Sequence, residues 1–216
     1  GCTGFEYVNL PSHLVPRVPE DWPVQPFDSA VWSGIPALSP FILVDGSSLA
    51  TQQTQVCLAY SQDALYVRFD CQDDDIWGTY TKRDEPIHDE EVVELFIATS
   101  TEIPKRYFEF EVSPNGVLFD CTITNPSGYY DEHLLVDKSW NAEGLEWHAQ
   151  SSPERQQWWA FLKVPWQDIG GFHQEWRANF YRIERSRKSG TELSCWSPTQ
   201  SQSFHVPTYF GRLSLA

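Results

Sequence analysis

The chain has 216 residues, 41% hydrophobic and 15% aromatic, which fits one all-β domain with ample core and excludes a disordered chain. Its 30 acids against 15 bases give a net charge of −15, so the clustered Lys and Arg that phosphate contacts need are missing, and neither nucleic acid nor an anionic membrane is an expected partner. No run approaches the ~20 apolar residues of a membrane span, so no membrane insertion is expected.

The chain opens at Gly1-Cys2 without an apolar leader; had a lipoprotein signal preceded it, Cys2 would be the lipid-bearing residue. Residues 1–27 are Pro-rich and read as an extended arm, and residues 28–216 as one β-sandwich. QVCLAY (55–60) and ALYVRFD (64–70) flank the polar turn Ser61-Gln62-Asp63 and read as a hairpin. VVELFIA (92–98) follows, with Glu94 in its middle. Strand side chains alternate, so Glu94 shares a face with Val92 and Phe96, while Val93, Leu95 and Ile97 take the other. YFEFEV (107–112) puts Phe108, Phe110 and Val112 on one face and Glu109 and Glu111 on the opposite one. Ser113-Pro114-Asn115-Gly116 is a turn by composition, and GVLFDCTI (116–123) returns as its partner. LEWHAQSS (145–152) and QWWAFLKVPW (157–166) form another hairpin, with a helical turn expected at WQDIGG. RANFYRIER (177–185) and FGRLSLA (210–216) complete the strands. Short strands between turns, without an amphipathic helix of three turns, give the fold class: an antiparallel β-sandwich or jelly-roll with little helix.

The five cysteines, at 2, 57, 71, 121 and 195, contain no CxxC pair, so no zinc site is expected. The six histidines, at 13, 88, 133, 148, 173 and 205, have no metal-ligand spacing. No GxSxG, phosphate-binding Gly loop, HExxH or dinucleotide fingerprint occurs. A haem site would have to draw its axial ligands from His, because Met is absent. Three chemistries remain. Glu94 with Glu109 or Glu111 could be the acid and nucleophile of a glycoside hydrolase, if ~5–9 Å apart. The acidic clusters 73–75 and 89–91 allow a structural calcium, though neither has the spacing of a calcium loop. Sugar binding needs flat rings for the C–H faces and polar groups for the hydroxyl rims. Trp77 and Tyr80 precede the Glu94 strand, Tyr129 and Tyr130 sit in a Gly/Pro loop, and Phe204 and His205 lie just before the last strand.

At these stretches the chain resembles the family 9 carbohydrate-binding modules, and more closely their short stand-alone relatives. The features are QVCLAYSQDALYVRFDCQDDDIW, HDEEVVELFI, YFEFEVSPNGVLFD, and the ending NFYRIER, CWSP, FHVPTYFGRLSL. The resemblance covers roughly residues 28–216. It implies a non-catalytic antiparallel β-sandwich that needs no cofactor, acts outside the cytoplasm, and holds a saccharide or glycan chain end between two aromatic rings. It implies that Glu94 bonds sugar hydroxyls, with Arg182 as its counter-charge. The family's two stacking tryptophans fall at His88 and Phe204, with Trp77 or Tyr80 as a replacement wall, and Trp196 of CWSP matches another family tryptophan. The family's basic ligand position falls at Glu109 or Glu111. The alternatives are a sandwich that has lost sugar binding and serves as an interaction module, or the carboxylate-based enzyme.

Overall fold

The computed structural model describes residues 9–99 and 101–216; Cys2 and the start of the arm lie outside them. The strands are β1 (Ser12–Val15), β2 (Ile42–Leu43), β3 (Thr54–Tyr60), β4 (Ala64–Gln72), β5 (Val92–Ala98), β6 (Arg106–Val112), β7 (Leu118–Thr124), β8 (Leu135–Asp137), β9 (Glu146–Ser152), β10 (Gln157–Pro165), β11 (Glu175–Ser186), β12 (Gly190–Cys195) and β13 (Gly211–Leu215). One sheet runs β1-β13-β11-β5-β6-β7-β8, with β12 pairing β11 and β2. The other runs β3-β4-β10-β9. Every pairing is antiparallel except β1 with β13. This is the antiparallel β-sandwich read from the sequence, and the helical turn expected at WQDIGG is a 3₁₀ turn, Trp166–Ile169.

Alternation assigns each strand face. Val93, Leu95, Ile97, Phe110 and Val112 point from the large sheet into the layer between the sheets. They meet Val56, Leu58, Leu65, Val67, Phe69, Trp158 and Leu162 from the small sheet. Each such side chain removed from water contributes about 1.5–3 kcal/mol, which outweighs any propensity preference of a single residue. The outer face of the small sheet is also covered. Ala59, Tyr66 and Phe161 pack there against Val18, Trp22 and Trp32, and Trp22 meets Trp32 and Tyr66 edge-on at 5.2 and 5.3 Å. The described part of the N-terminal arm is thus built into the sandwich.

The outer face of the large sheet carries a second apolar cluster: Val92, Phe96 and Ala98 of β5, Tyr107 of β6, Phe119, Cys121 and Ile123 of β7, and Tyr181 and Ile183 of β11. A solvated sheet face would be polar. Here both faces are apolar, and loops must cover the outer one. Glu94, Glu109 and Glu111 stand on that covered face.

Candidate functional site

Pairing register brings the three glutamates together. Glu94 on β5 lies opposite Glu111 on β6, and Phe96 opposite Glu109. Tyr181 flanks Glu94 from β11, while Phe119 and Cys121 of β7 flank Glu111 and Glu109. Glu94, Glu109 and Glu111 are 4%, 4% and 2% exposed, and one carboxylate oxygen of each lies within 4.8 Å of the others. Directly opposed like charges destabilise a sheet, so this floor is not an ordinary structural choice.

Burial comes first in raising Glu94 and Glu111 well above the usual carboxylate range, followed by the charges of neighbouring glutamates. A hydrogen bond from Glu111 partly offsets the rise at Glu94, so Glu111 holds a proton shared with its neighbours. Burial also pushes the Cys121 thiol up; its Sγ donates to Glu109 Oε2 at 3.6 Å. His88 Nδ1 stands 3.8 Å from Glu111 Oε1, and His205 Nε2 3.5 Å from Glu109 Oε1. Neither contact is a hydrogen bond, for both carboxylate oxygens lack such a partner. Burial lowers His205, so its ring is neutral near pH 7. Tyr107 Oη and His205 Nδ1 are hydrogen-bonded at 2.7 Å, and the other ring nitrogen, Nε2, faces Glu109.

Above the floor lies a cavity of about 370 Å³. The loop before β13 supplies Phe204, stacked on Tyr181 at 4.3 Å, with Tyr181 O–H donating to its carbonyl at 3.1 Å. His205 is layered between Phe96 at 4.8 Å and Tyr130 at 5.9 Å. The Tyr130 ring is 69% exposed and free to meet a guest. His88 meets Phe119 edge-on at 6.1 Å, and Lys138 sits 5.8 Å over the Phe119 ring at the rim.

Of the sequence-derived candidates, His88, Glu94, Glu109, Glu111, Phe204 and His205 line this cavity. Four others do not. Arg182 is not the counter-charge of Glu94. Tyr181 is the residue opposite Glu94, so Arg182 points into the sandwich, where its Nη2 is 3.2 Å from Asp73 Oδ2. Trp196 packs in the same interior against Phe180, 3% exposed. Trp77 straps the 73–91 loop onto β11: its Nε1 donates to the Arg185 carbonyl at 2.9 Å, and Arg187 covers its ring at 4.9 Å. Tyr80 packs on the outer-face cluster from the side. Phe119, Lys138 and Ile183 line the cavity without having been singled out. Alternation gives their faces, but nothing local tells which loop folds over them.

Two larger cavities lie elsewhere. One of about 510 Å³ holds Asp74, Glu184 and Glu192 but no aromatic ring; one of about 410 Å³ holds Tyr107 and Phe108 but no carboxylate. The smaller cavity alone among these three joins rings to carboxylates, which makes it the candidate site. At the first, carboxylate oxygens of Asp73, Asp74 and Glu184 lie within 4.8 Å of one another. Asp74 Oδ1 and Glu184 Oε1 have no hydrogen-bond partner, so the donor set fits a hard cation, although Arg182 already pairs with Asp73. The acids 89–91 are otherwise engaged: Glu90 accepts from Thr79, and Glu91 from the Arg185 N–H.

The buried acids set the pH dependence of stability. A carboxyl raised in the fold keeps a proton that the unfolded chain releases near pH 4.3, so stability falls as pH rises above that value. Glu94, Glu111, Glu91 at about 11 and Glu184 at about 7 all act in this sense, burial leading in each. Neutral His13 and His205 act oppositely, below pH 6.5. The melting temperature is therefore expected to fall from pH 6.5 to 8. Glu111→Gln should melt higher than wild type at pH 8, by about 2–4 °C, the shift worth 1 kcal/mol in a chain of this size. The gain should shrink toward pH 5; a gain equal at both pH values would remove the titration as its cause.

Residues 47–215 match the family profile described as Carbohydrate-binding family 9. A protein of Arthroderma benhamiae named "Extracellular protein" is 27% identical over 178 residues, 74% of this chain and 78% of its own length. A candidate carbohydrate-binding protein from Bacteroides uniformis has a similar structure, TM-score 0.75 at 16% identity, covering 95% of this chain and 99% of that one. A family 9 carbohydrate-binding module from Caldicellulosiruptor kristjanssonii, solved with cellotriose, aligns with TM-score 0.61 at 13% identity over 95% and 93% of the two chains. Its glucose complex gives 0.66 at 12% over 95% and 96%. At these identities the structures show a common fold.

Proposed function

The chain belongs to carbohydrate-binding family 9, and we propose that it holds a saccharide or glycan chain end, without catalysis, in the cavity over Glu94, Glu109 and Glu111. The observation that carries this is the joining of buried acceptors to open rings. Three carboxylates form the floor, Phe204 and His205 are fixed to the sheet beneath, and the exposed Tyr130 ring stands above. Hydroxyls bond the floor, and a C–H face lies on the rings. The saccharides bound by the Caldicellulosiruptor module support the ligand class.

A hydrolase reading is weaker, because its two carboxyls flank the scissile bond from two sides. Here they lie side by side on neighbouring strands. The named relative supports a place outside the cytoplasm. The four described cysteines are free, and burial pushes their thiols up, to about 11 at Cys57 and about 12 at Cys71 and Cys195. Among the described residues no helix is long and apolar enough to cross a membrane. A structural calcium, if the fold uses one, would be held by Asp73, Asp74 and Glu184.

Titration calorimetry with glucose and cello-oligosaccharides tests the reading. Tyr130→Ala should weaken binding by about 2–10-fold, the ~0.5–1.5 kcal/mol of one stacked ring. Its melting temperature should not move, because the ring is 69% exposed. Saturable binding that ignores Tyr130 would put the sugar elsewhere. Absence of binding at millimolar saccharide would refute the function.

A further inference from the structure

We infer that the saccharide selected by this floor carries a free amine, whose ammonium group sits on Glu94, Glu109 and Glu111. The inference rests on the sugar-binding reading and names the class of sugar. Among the described residues three buried acids are paired with a guanidinium: Asp73 with Arg182, Asp120 with Arg83, and Asp75 with Arg187. The floor is different. Among the described residues no Lys or Arg nitrogen reaches within 4.0 Å of Glu94, Glu109 or Glu111, and the ion-pair neighbours are two histidines. One of those, His205, is neutral; Lys138, which lines the cavity, is drawn over the Phe119 ring, and Arg185, whose charge reaches Glu94, donates to the His88 carbonyl.

A second observation is independent of the charge count. Glu109 Oε1 and Glu111 Oε1 are buried with no hydrogen-bond partner, in residues 4% and 2% exposed that line the cavity. An orphaned buried acceptor costs free energy unless a ligand satisfies it. An ammonium group is a donor of three hydrogens and accepts none. One nitrogen can reach three oxygens at hydrogen-bond distance only where they lie within about 5 Å of one another. The three carboxylates present oxygens within 4.8 Å of one another. A neutral hydroxyl could bond one or two of them but would leave Glu94 and Glu111 held protonated by burial and mutual repulsion, whereas an ammonium supplies the counter-charge that lets them ionise. A bare metal ion would use the same oxygens, but Phe204, Tyr130 and Phe119 offer it no ligand and leave the rest of the 370 Å³ unexplained. An amino sugar uses the floor with its nitrogen and the rings with its C–H face.

The test is calorimetry on the full chain at pH 6.5 with glucosamine, glucose, N-acetylglucosamine and calcium chloride as separate probes. Glucosamine should bind at least about tenfold more tightly than either neutral sugar. In Glu109→Gln and Glu111→Gln the ratio of the glucosamine to the glucose affinity should fall toward one, with melting curves confirming that the variants fold. Neutral sugars binding as tightly as glucosamine would overturn the inference while leaving the sugar site standing. No binding of any sugar would overturn the site itself. Calcium binding that is lost in Glu111→Gln, with no preference for the amine, would make the floor a metal site instead.

Discussion

Arg182→Met is expected to lower the unfolding free energy by about 3–5 kcal/mol, the cost of leaving one partner of a buried ion pair alone. Arg182 and Asp73 are 0% and 1% exposed. The guanidinium Nη1 also donates to the carbonyls of Gln52 and Gln53 at 3.3 Å, and the Trp158 Nε1 donates to Asp73 Oδ2 at 3.0 Å. The pair therefore joins β11 to the entrance of β3 and to β10 across the sandwich. Without Arg182 the Asp73 charge would face Glu91 and Glu184 unopposed, and both already feel it as a repulsion that raises them. Denaturant melts of Arg182→Met and of the double variant with Asp73→Asn decide the matter. The double variant should recover part of the loss, because the unpaired charge is gone. A loss below about 1 kcal/mol in the single variant would mean that water or a shifted Asp73 relieves the burial.

The same residue marks where sequence reasoning stops. Nine strands follow from short apolar runs between turns, among them YFEFEV, whose alternation places Phe110 inside and Glu109 and Glu111 outside. The strands that escape are those with little apolar pattern: two residues in β2, three exposed ones in β8, the four of β1, and the Gly- and Glu-bearing β12. Their positions come from pairing with long neighbours, which is a tertiary effect. Face is a local property; register is not. That Glu94 stands on the Glu109 and Glu111 side needs the pairing of β5 with β6, and that Arg182 does not needs the pairing with β11, where a slip of one residue exchanges the faces. Trp196 fills the space that Gly211 leaves, for a Cβ there would overlap its ring. Phe204 shows the two demands at one position. It lines the cavity yet is 8% exposed and stacked on Tyr181, so its loss would disturb fold and site together.

Glu94 separates the two demands. Glu94→Gln is expected to weaken saccharide binding by about 10–100-fold, because an oxygen that accepts from a sugar hydroxyl becomes an amide N–H, and leaving a buried donor unsatisfied costs about 1–3 kcal/mol. The fold should not suffer. Burial already disfavours the ionised form of Glu94, and the amide keeps its volume and one acceptor while donating to its neighbours. The melting temperature at pH 8 should stay level or rise, in the same direction as for Glu111→Gln. A substitution that stabilises the chain and disables its site is the signature of a group kept for function at a cost to stability. Glu94→Ala is the less informative variant, since it also opens space between Phe96 and Tyr181, which pack 4.7 Å apart beside it. If Glu94→Gln left the affinity for a bound sugar unchanged, the floor would not be the binding surface. If it unfolded the chain, the carboxylate would be structural, and the three glutamates would need a reason other than a ligand.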